Sequence, residues 1–139
     1  MRLFVLVILL LFLPAVAHAG FQEGKTAYDQ KNWVKAITEL RPLAEAGDDR
    51  ALILLGNMYS EGLGVATDQT EALALYKRAA AEKNNAEAMV AIATFYISGI
   101  GVPKNMNLAL QWFKRAADLG NQTGAFFCAT ILLRGNKSA

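Results

Sequence analysis

The chain has 139 residues, of which 54% are hydrophobic and 19% charged, and its formal net charge at pH 7 is +2. A nearly neutral chain of this length fits one domain and lacks the concentrated positive charge with which proteins bind nucleic acid or anionic lipid. One histidine and one cysteine exclude an intrachain disulfide and the usual His/Cys zinc sites.

The first nineteen residues have the pattern of a secretory signal peptide. Arg2 provides a positive start, and an unbroken apolar run over 3–13 is shorter than the roughly 20 residues that cross a bilayer. Ala17-His18-Ala19 then has the small-x-small pattern of a cleavage site. We expect cleavage after Ala19 and a soluble mature chain, 20–139, in the periplasm or secreted by a bacterium. The alternative is an uncleaved membrane anchor.

Removal of this segment also removes the only histidine, His18. A Ser-His-Asp triad or a Cys-His pair would then lack a member. An enzyme would need paired carboxylates or a serine with a lysine, whereas the acidic residues stand singly or at helix starts. We therefore predict no enzymatic activity, no cofactor and no metal site.

The rest of the chain has apolar residues at helical spacing and no convincing strand-like alternation. We predict helices near 21–30, 33–46, 49–60, 69–82, 86–97, 106–119 and 122–133, followed by a disordered tail, 135–139. Gly99 is predicted to end a helix in the left-handed conformation, and Asn105 to cap the next one. Asp68 has the same place one unit earlier, where Glu71 completes a capping-box pattern.

The chain also repeats itself at a spacing of 37 residues, with eleven identities in the same order. The identical residues are Ala51, Tyr59, Gly62, Gly64, Val65, Ala72, Leu73, Lys77, Arg78, Ala79 and Ala80, which recur as Ala88, Tyr96, Gly99, Gly101, Val102, Ala109, Leu110, Lys114, Arg115, Ala116 and Ala117. Repeated helix pairs stack into solenoids. We predict an all-α, right-handed α-solenoid of stacked helix hairpins in one domain, 20–134. Its parts are an N-terminal helix pair (20–48), repeat one (49–85), repeat two (86–121) and a terminal helix (122–134).

The segments ALILLGNMYSEGLGVATD (51–68) and AMVAIATFYISGIGVPKN (88–105) resemble Sel-one-like repeats, longer relatives of the tetratricopeptide repeat (TPR). The helices that follow them, ALALYKRAA (72–80) and ALQWFKRAADLG (109–120), complete the pattern. Residues 24–48 resemble the helix pair that often precedes such repeats. The resemblance implies a TPR-like fold. It also implies an adaptor or scaffold role, often at the bacterial envelope.

The first helix of such a repeat normally turns polar residues toward a concave groove. Here the corresponding positions carry Leu52 and Leu54, then Met89 and Ala91, then Phe126 and Cys128, while Asn57 and Thr94 keep the groove polar. An apolar groove of this kind would accept an amphipathic helix or an extended peptide. The alternative is that neighbouring helices cover these side chains as core.

The last predicted helix is apolar nearly all round over 125–133, whereas the terminal repeats of solenoids usually have a polar outer face. We predict that it is a docking surface or the contact of a homodimer, with Phe126, Phe127 and Ile131 as contact residues. The alternative is a simple cap of the core. Cys128 is interpreted as a buried small apolar residue.

Two basic pairs, Lys77-Arg78 and Lys114-Arg115, could receive an acidic partner, but solvation near helix ends explains them equally well. The function expected from the sequence is an exported scaffold or adaptor. It would bind a partner protein or peptide through the concave helical face and the apolar C-terminal helix. The alternative is a cell-envelope enzyme or a binder of cell-wall fragments. Neither nucleic-acid binding nor stable membrane insertion is expected.

Overall fold

The computed structural model describes residues 20–135, and that part of the chain contains seven α-helices and no strand. The helices are α1 (20–29), α2 (Trp33–Glu45), α3 (Asp49–Glu61), α4 (Gln69–Lys83), α5 (Ala86–Ser98), α6 (Met106–Asp118) and α7 (Gln122–Gly135). Each predicted helix is confirmed to within two residues at either end. Gly135 belongs to α7, which corrects its assignment to a disordered tail. The predicted signal peptide, 1–19, and residues 136–139 lie outside the described residues.

Consecutive helices from α2 to α7 pack side by side, and α5 also contacts α7. Contacts limited to adjacent helices and adjacent repeats are the mark of a solenoid, so the predicted all-α solenoid of helix hairpins is confirmed. The core consists of two apolar clusters along the stack, and within residues 20–135 it contains no fully buried polar residue. Its largest fully buried members are Leu40, Leu52, Met58, Met89, Ile92 and Phe113.

Glycine turns separate the two helices of each complete repeat, as predicted. Gly62 and Gly99 end α3 and α5 at φ values of 72° and 71°, in the left-handed region that a Cβ disfavours. Asp68 caps α4 by accepting a hydrogen bond from the Glu71 backbone N–H at 3.0 Å. The second bond of the predicted capping box is absent, because the Asp68 backbone N–H donates to the Tyr59 carbonyl at 2.9 Å.

The glycine turn of each repeat closes over the preceding hairpin. A Cβ on Gly64 would lie 2.4 Å from Trp33 Cβ, and one on Gly101 would lie 2.9 Å from Gln69 Cβ. Trp33 and Gln69 are the first residues of α2 and α4, the second helices of their hairpins. Each repeat therefore covers the start of the second helix of the hairpin before it.

Within each hairpin, the two helices meet where a small residue faces a large one. A Cβ on Gly24 would lie 2.7 Å from Leu40 Cδ2, and one on Gly56 would lie 2.6 Å from Tyr76 Cε1. In the third hairpin, fully buried Ala93 and Phe113 belong to one apolar cluster. We call these contacts the small–large contacts. The large residue covers the first helix because the small one lets the backbones approach.

The small–large contact of repeat one predicts that Gly56→Ala destabilises the fold. Alanine is favoured over glycine inside a helix by about 1 kcal/mol. The added methyl group would nevertheless press on the Tyr76 ring, which is buried and held by a hydrogen bond to Asn57. Overpacking typically costs about 1–3 kcal/mol, so we expect a net loss of up to about 2 kcal/mol in the free energy of unfolding.

Denaturant unfolding measures this loss. The double variant Gly56→Ala/Tyr76→Leu should be destabilised by less than the sum of the single variants, because the smaller side chain makes room for the methyl group. A Gly56→Ala protein more stable than the wild type would contradict the contact.

Candidate functional site

Two residues of the predicted partner-binding groove belong to the core instead. Leu52 is 0% exposed and Met89 is 1% exposed, and both pack in the main apolar cluster. A partner cannot contact fully buried side chains. The structure therefore corrects their assignment, and the core alternative holds for these two residues.

Three other predicted groove residues remain accessible. Leu54 and Asn57 are half-buried and Thr94 is exposed. The Tyr76 hydroxyl donates a hydrogen bond to Asn57 Oδ1 at 2.6 Å, and Thr94 Oγ1 donates to a carbonyl of its own helix at 2.9 Å. Burial, aided by the nearby Glu61 carboxylate, raises the pKa of Tyr76 well above its usual range, so the hydroxyl stays protonated as a donor. The Asn57 side chain is thus held in one orientation.

The N-terminal caps show that α7 corresponds to α3 and α5, the first helices of repeats one and two. Its spacing from α5 is one residue shorter than the predicted 37. Asp48 and Asn85 accept hydrogen bonds from the backbone N–H of Ala51 and Ala88, 37 residues apart. Asn121 accepts the equivalent bond from Gly124 at 2.8 Å, only 36 residues further on. Phe126 and Cys128 therefore correspond to Ile53 and Leu55, which corrects their alignment with Leu52 and Leu54. The residue equivalent to Leu54 is Phe127.

One side of α7 packs on the preceding hairpin. The Phe127 ring stacks on Phe113 with the ring centroids 5.0 Å apart. Gly124 is buried, and a Cβ there would lie 2.9 Å from the Phe113 carbonyl oxygen. Ile131 and Cys128 are half-buried against the cluster that contains Phe113. Ile131, predicted as a contact residue, is thus partly covered by the fold, and Cys128 is only half-buried rather than buried.

The opposite side of α7 is apolar and exposed. Phe126 and Leu133 are each 66% exposed, and Leu132 is 51% exposed. With the exposed alanines Ala125 and Ala129 they form one face, because residues three, four and seven positions apart share a side of a helix. We call these five residues the α7 stripe. None of them is charged.

In both complete repeats, the second helix covers the face of the first helix that corresponds to the α7 stripe. None of the equivalent residues is exposed. They are Leu52, Ile53, Gly56, Tyr59 and Ser60 in α3, and Met89, Val90, Ala93, Tyr96 and Ile97 in α5. Ala129 is the equivalent of Gly56 and Ala93, which face Tyr76 and Phe113. Within residues 20–135, no helix covers Ala129 in this way.

A groove of about 750 Å³ lies between the first half of α6 and residues 126–134 of α7, and its lining shares Phe126 and Leu132 with the stripe. Its apolar lining includes Ile97, Met106, Leu110, Phe126, Phe127 and Ile131. Met106, 44% exposed, is the first residue of α6 and corresponds to Trp33 and Gln69. The groove therefore lies where the glycine turn of a following repeat would close.

Three of the four residues in the two basic pairs make contacts within the fold. Arg78 donates to the Ala44 carbonyl at 3.1 Å, near the end of α2. Lys114 forms an ion pair with Asp118 at 3.0 Å, and the Arg115 guanidinium lies 4.5 Å from the centre of the Trp112 ring. These contacts favour the structural interpretation over a site for an acidic partner.

No group of three or more His, Cys, Asp or Glu between residues 20 and 135 is placed to hold a metal ion. None of the helices in this part of the chain is both long and apolar enough to cross a membrane.

The family model described as "Sel1 repeat" matches residues 49–84 and 86–121, more than half of the chain. A comparison with curated proteins finds no match. Among solved structures, a Sel1 repeat protein from Oxalobacter formigenes is 28% identical, with a TM-score of 0.77 over 83% of this chain and 47% of its own.

Two further structures are similar. A protective antigen of uropathogenic Escherichia coli with an SLR fold is 26% identical, with a TM-score of 0.74 over 83% of this chain and 25% of its own. The cysteine-rich protein B of Helicobacter pylori is 25% identical, with a TM-score of 0.62 over 67% of this chain and 69% of its own. The chain thus spans about half the length of the Oxalobacter protein and a quarter of the antigen.

The two adjacent phenylalanines of α7 are predicted to differ in their effect on stability. Phe127→Ala removes the ring that stacks on Phe113 and should lower the free energy of unfolding by about 1–3 kcal/mol. Phe126→Ala truncates a ring that is mostly exposed and should change it by about 0.5 kcal/mol or less. Denaturant titration of both variants measures the difference. Equal losses would mean that α7 does not dock through Phe127.

Proposed function

The chain belongs to the Sel1 repeat family, and from that premise we propose that it is an exported scaffold that binds a partner protein or peptide. Sel1 repeat proteins are generally scaffolds for protein–protein interaction, and this chain combines their fold with exposed apolar side chains on α7. The observation that carries the proposal is the α7 stripe together with the adjoining groove. Contiguous exposed apolar surface marks interaction sites in soluble proteins.

The proposed binding surface has two parts. The first is the predicted concave face, where Leu54, Asn57 and Thr94 are accessible. Asn57 is held on this face by hydrogen bonds of its side chain to the hydroxyls of Tyr76 and Tyr28. The second part is the C-terminal end, where α7 and Met106 offer an apolar seat for a helix or an extended segment.

The alternative of a cell-envelope enzyme or a binder of cell-wall fragments gains no support from this surface. The groove lining is mostly apolar, which suits a side chain rather than a sugar. An apolar groove with few polar groups instead favours a protein partner, so the scaffold is the function that we propose.

Export to the periplasm, or secretion, is part of the proposal and rests on the signal-like segment before Gly20. We expect the intact mass of the protein recovered from the periplasmic fraction to equal that of residues 20–139. Ala19→Arg should block processing, because signal peptidase requires a small residue at that place. Ala46→Arg is a matched control at an exposed alanine and should be processed normally. Unprocessed wild-type protein in the membrane fraction would contradict export as a soluble protein.

Two aspartate substitutions test the two parts of the surface. Met106→Asp places a charge in the groove, and Thr94→Asp places one on the predicted concave face. Each is expected to weaken binding of the partner that co-purifies with the wild type by about tenfold or more, the loss produced by removing a contact worth about 1.4 kcal/mol.

Val34→Asp is the matched control, because Val34 is 76% exposed on α2, away from both parts. Quantitative mass spectrometry of the co-purified proteins measures the loss. Equal recovery with all three variants would reject both binding surfaces. A loss confined to one variant would assign the binding to that part.

A further inference from the structure

The α7 stripe lacks the cover that its equivalents have in the two complete repeats. At the equivalent positions, α4 places Tyr76 against Gly56, and α6 places Phe113 beside Ala93. Ala129, the residue that corresponds to Gly56 and Ala93, is exposed. The same kind of contact is expected at α7. We therefore expect a helix to cover the stripe, with its backbone close to Ala129.

The stripe is self-complementary about Ala129. This alanine lies near the middle of α7 and in the centre of the exposed face. Phe126 and Leu132 flank it at three residues on either side, and Ala125 and Leu133 at four residues on either side. In an antiparallel pair of α7 helices with a twofold axis at Ala129, Phe126 of one copy faces Leu132 of the other. Large side chains then pack against each other on either side of the crossing point, where the small residue Ala129 lies. The surface is thus complementary to itself, as a twofold interface requires.

Charge and available partners also favour a second copy. Two α7 stripes can meet without burying a charge, which would be costly unless the charge were paired. Among the described helices, α2 to α6 are each packed between two neighbours, and the exposed side chains of α1 are polar or charged. The helix that a second copy can offer is therefore its own α7.

The exposed area of the stripe indicates a weak dimer. At roughly 200 Å² for a fully exposed large apolar side chain, the exposed fractions of Phe126, Leu132 and Leu133 amount to roughly 370 Å² per copy, so that two copies bury roughly 730 Å². Ala125 and Ala129 add to this area, which stays below the roughly 1,200 Å² at which stable specific interfaces begin. A dimer of this size dissociates on dilution.

We propose that α7 is a dimerisation helix, and that two copies of this chain pack their α7 stripes antiparallel around Ala129. The inference rests on the proposed role of α7 as a contact surface and commits that surface to a second copy. The predicted concave face remains open for a partner in such a dimer.

Molar mass across a concentration series tests the dimer. Light scattering of the protein purified from exporting cells should show a mass that doubles as the concentration rises. Ala129→Asp should stay monomeric at every concentration, because it places two carboxylates at the twofold axis. Val34→Asp should dimerise like the wild type, and circular dichroism checks that both variants are folded. A wild-type protein that is monomeric throughout the series overturns the inference.

Disulfide cross-linking tests the register. In a Cys128→Ser background, Ala129→Cys should form a covalent dimer under mild oxidation. Leu133→Cys should not, because its two copies would lie about 12 Å apart along the helix axis. Bridged Cα atoms must lie within about 4.4–6.8 Å of each other. The double variant Ala125→Cys/Leu133→Cys should cross-link again. Equal cross-linking at 129 and 133 overturns the proposed packing.

The same variants separate this inference from the proposed scaffold function. A monomeric protein whose Ala129→Asp variant loses a co-purifying partner assigns the stripe to another protein; it overturns the dimer and leaves the scaffold standing. A dimer with the expected cross-links but no partner for the concave face upholds the inference and removes the proposed function.

Discussion

The close approach of two helices at a small residue is the contact on which the whole structure depends. Gly24, Gly56 and Ala93 each let a large residue of the next helix lie over the first helix of the hairpin. That approach brings the second helix down onto a complete face of the first, and the core of the solenoid is the sum of these covered faces. Every first helix needs a second helix beside it, because without that helix part of its apolar surface stays exposed.

The glycine turns extend the same dependence from one repeat to the next. Gly64 and Gly101 bring the loop of a repeat against the first turn of the preceding hairpin's second helix, where a Cβ would clash. At α6 and α7 the described chain supplies neither that loop nor a second helix. The open groove beside Met106 and the exposed α7 stripe thus have one physical cause, which is that neither a glycine turn nor a second helix follows α7 within the described residues.

The binding surfaces that we propose lie where the repeat leaves side chains uncovered. The predicted concave face contributes little apolar area, because Leu52 and Met89 are already in the core. Asn57 and Thr94 keep it polar and accessible. The C-terminal end contributes the large apolar side chains of the α7 stripe, none of which is charged. A scaffold with one polar and one apolar surface can meet two different binding tasks without rearranging its helices.

The sequence alone determined the helices, the repeat and the family, because each depends on local signals. Apolar spacing, side-chain caps such as Asp68 and glycine turns such as Gly99 act within a few residues of where they stand. Only the tertiary structure decided which apolar residues are covered. Leu52 and Phe126 both lie on apolar helices, but one is buried and the other 66% exposed. The difference depends on a neighbouring helix, and a one-residue change in register before α7 moved every later side chain by about 100° around its axis.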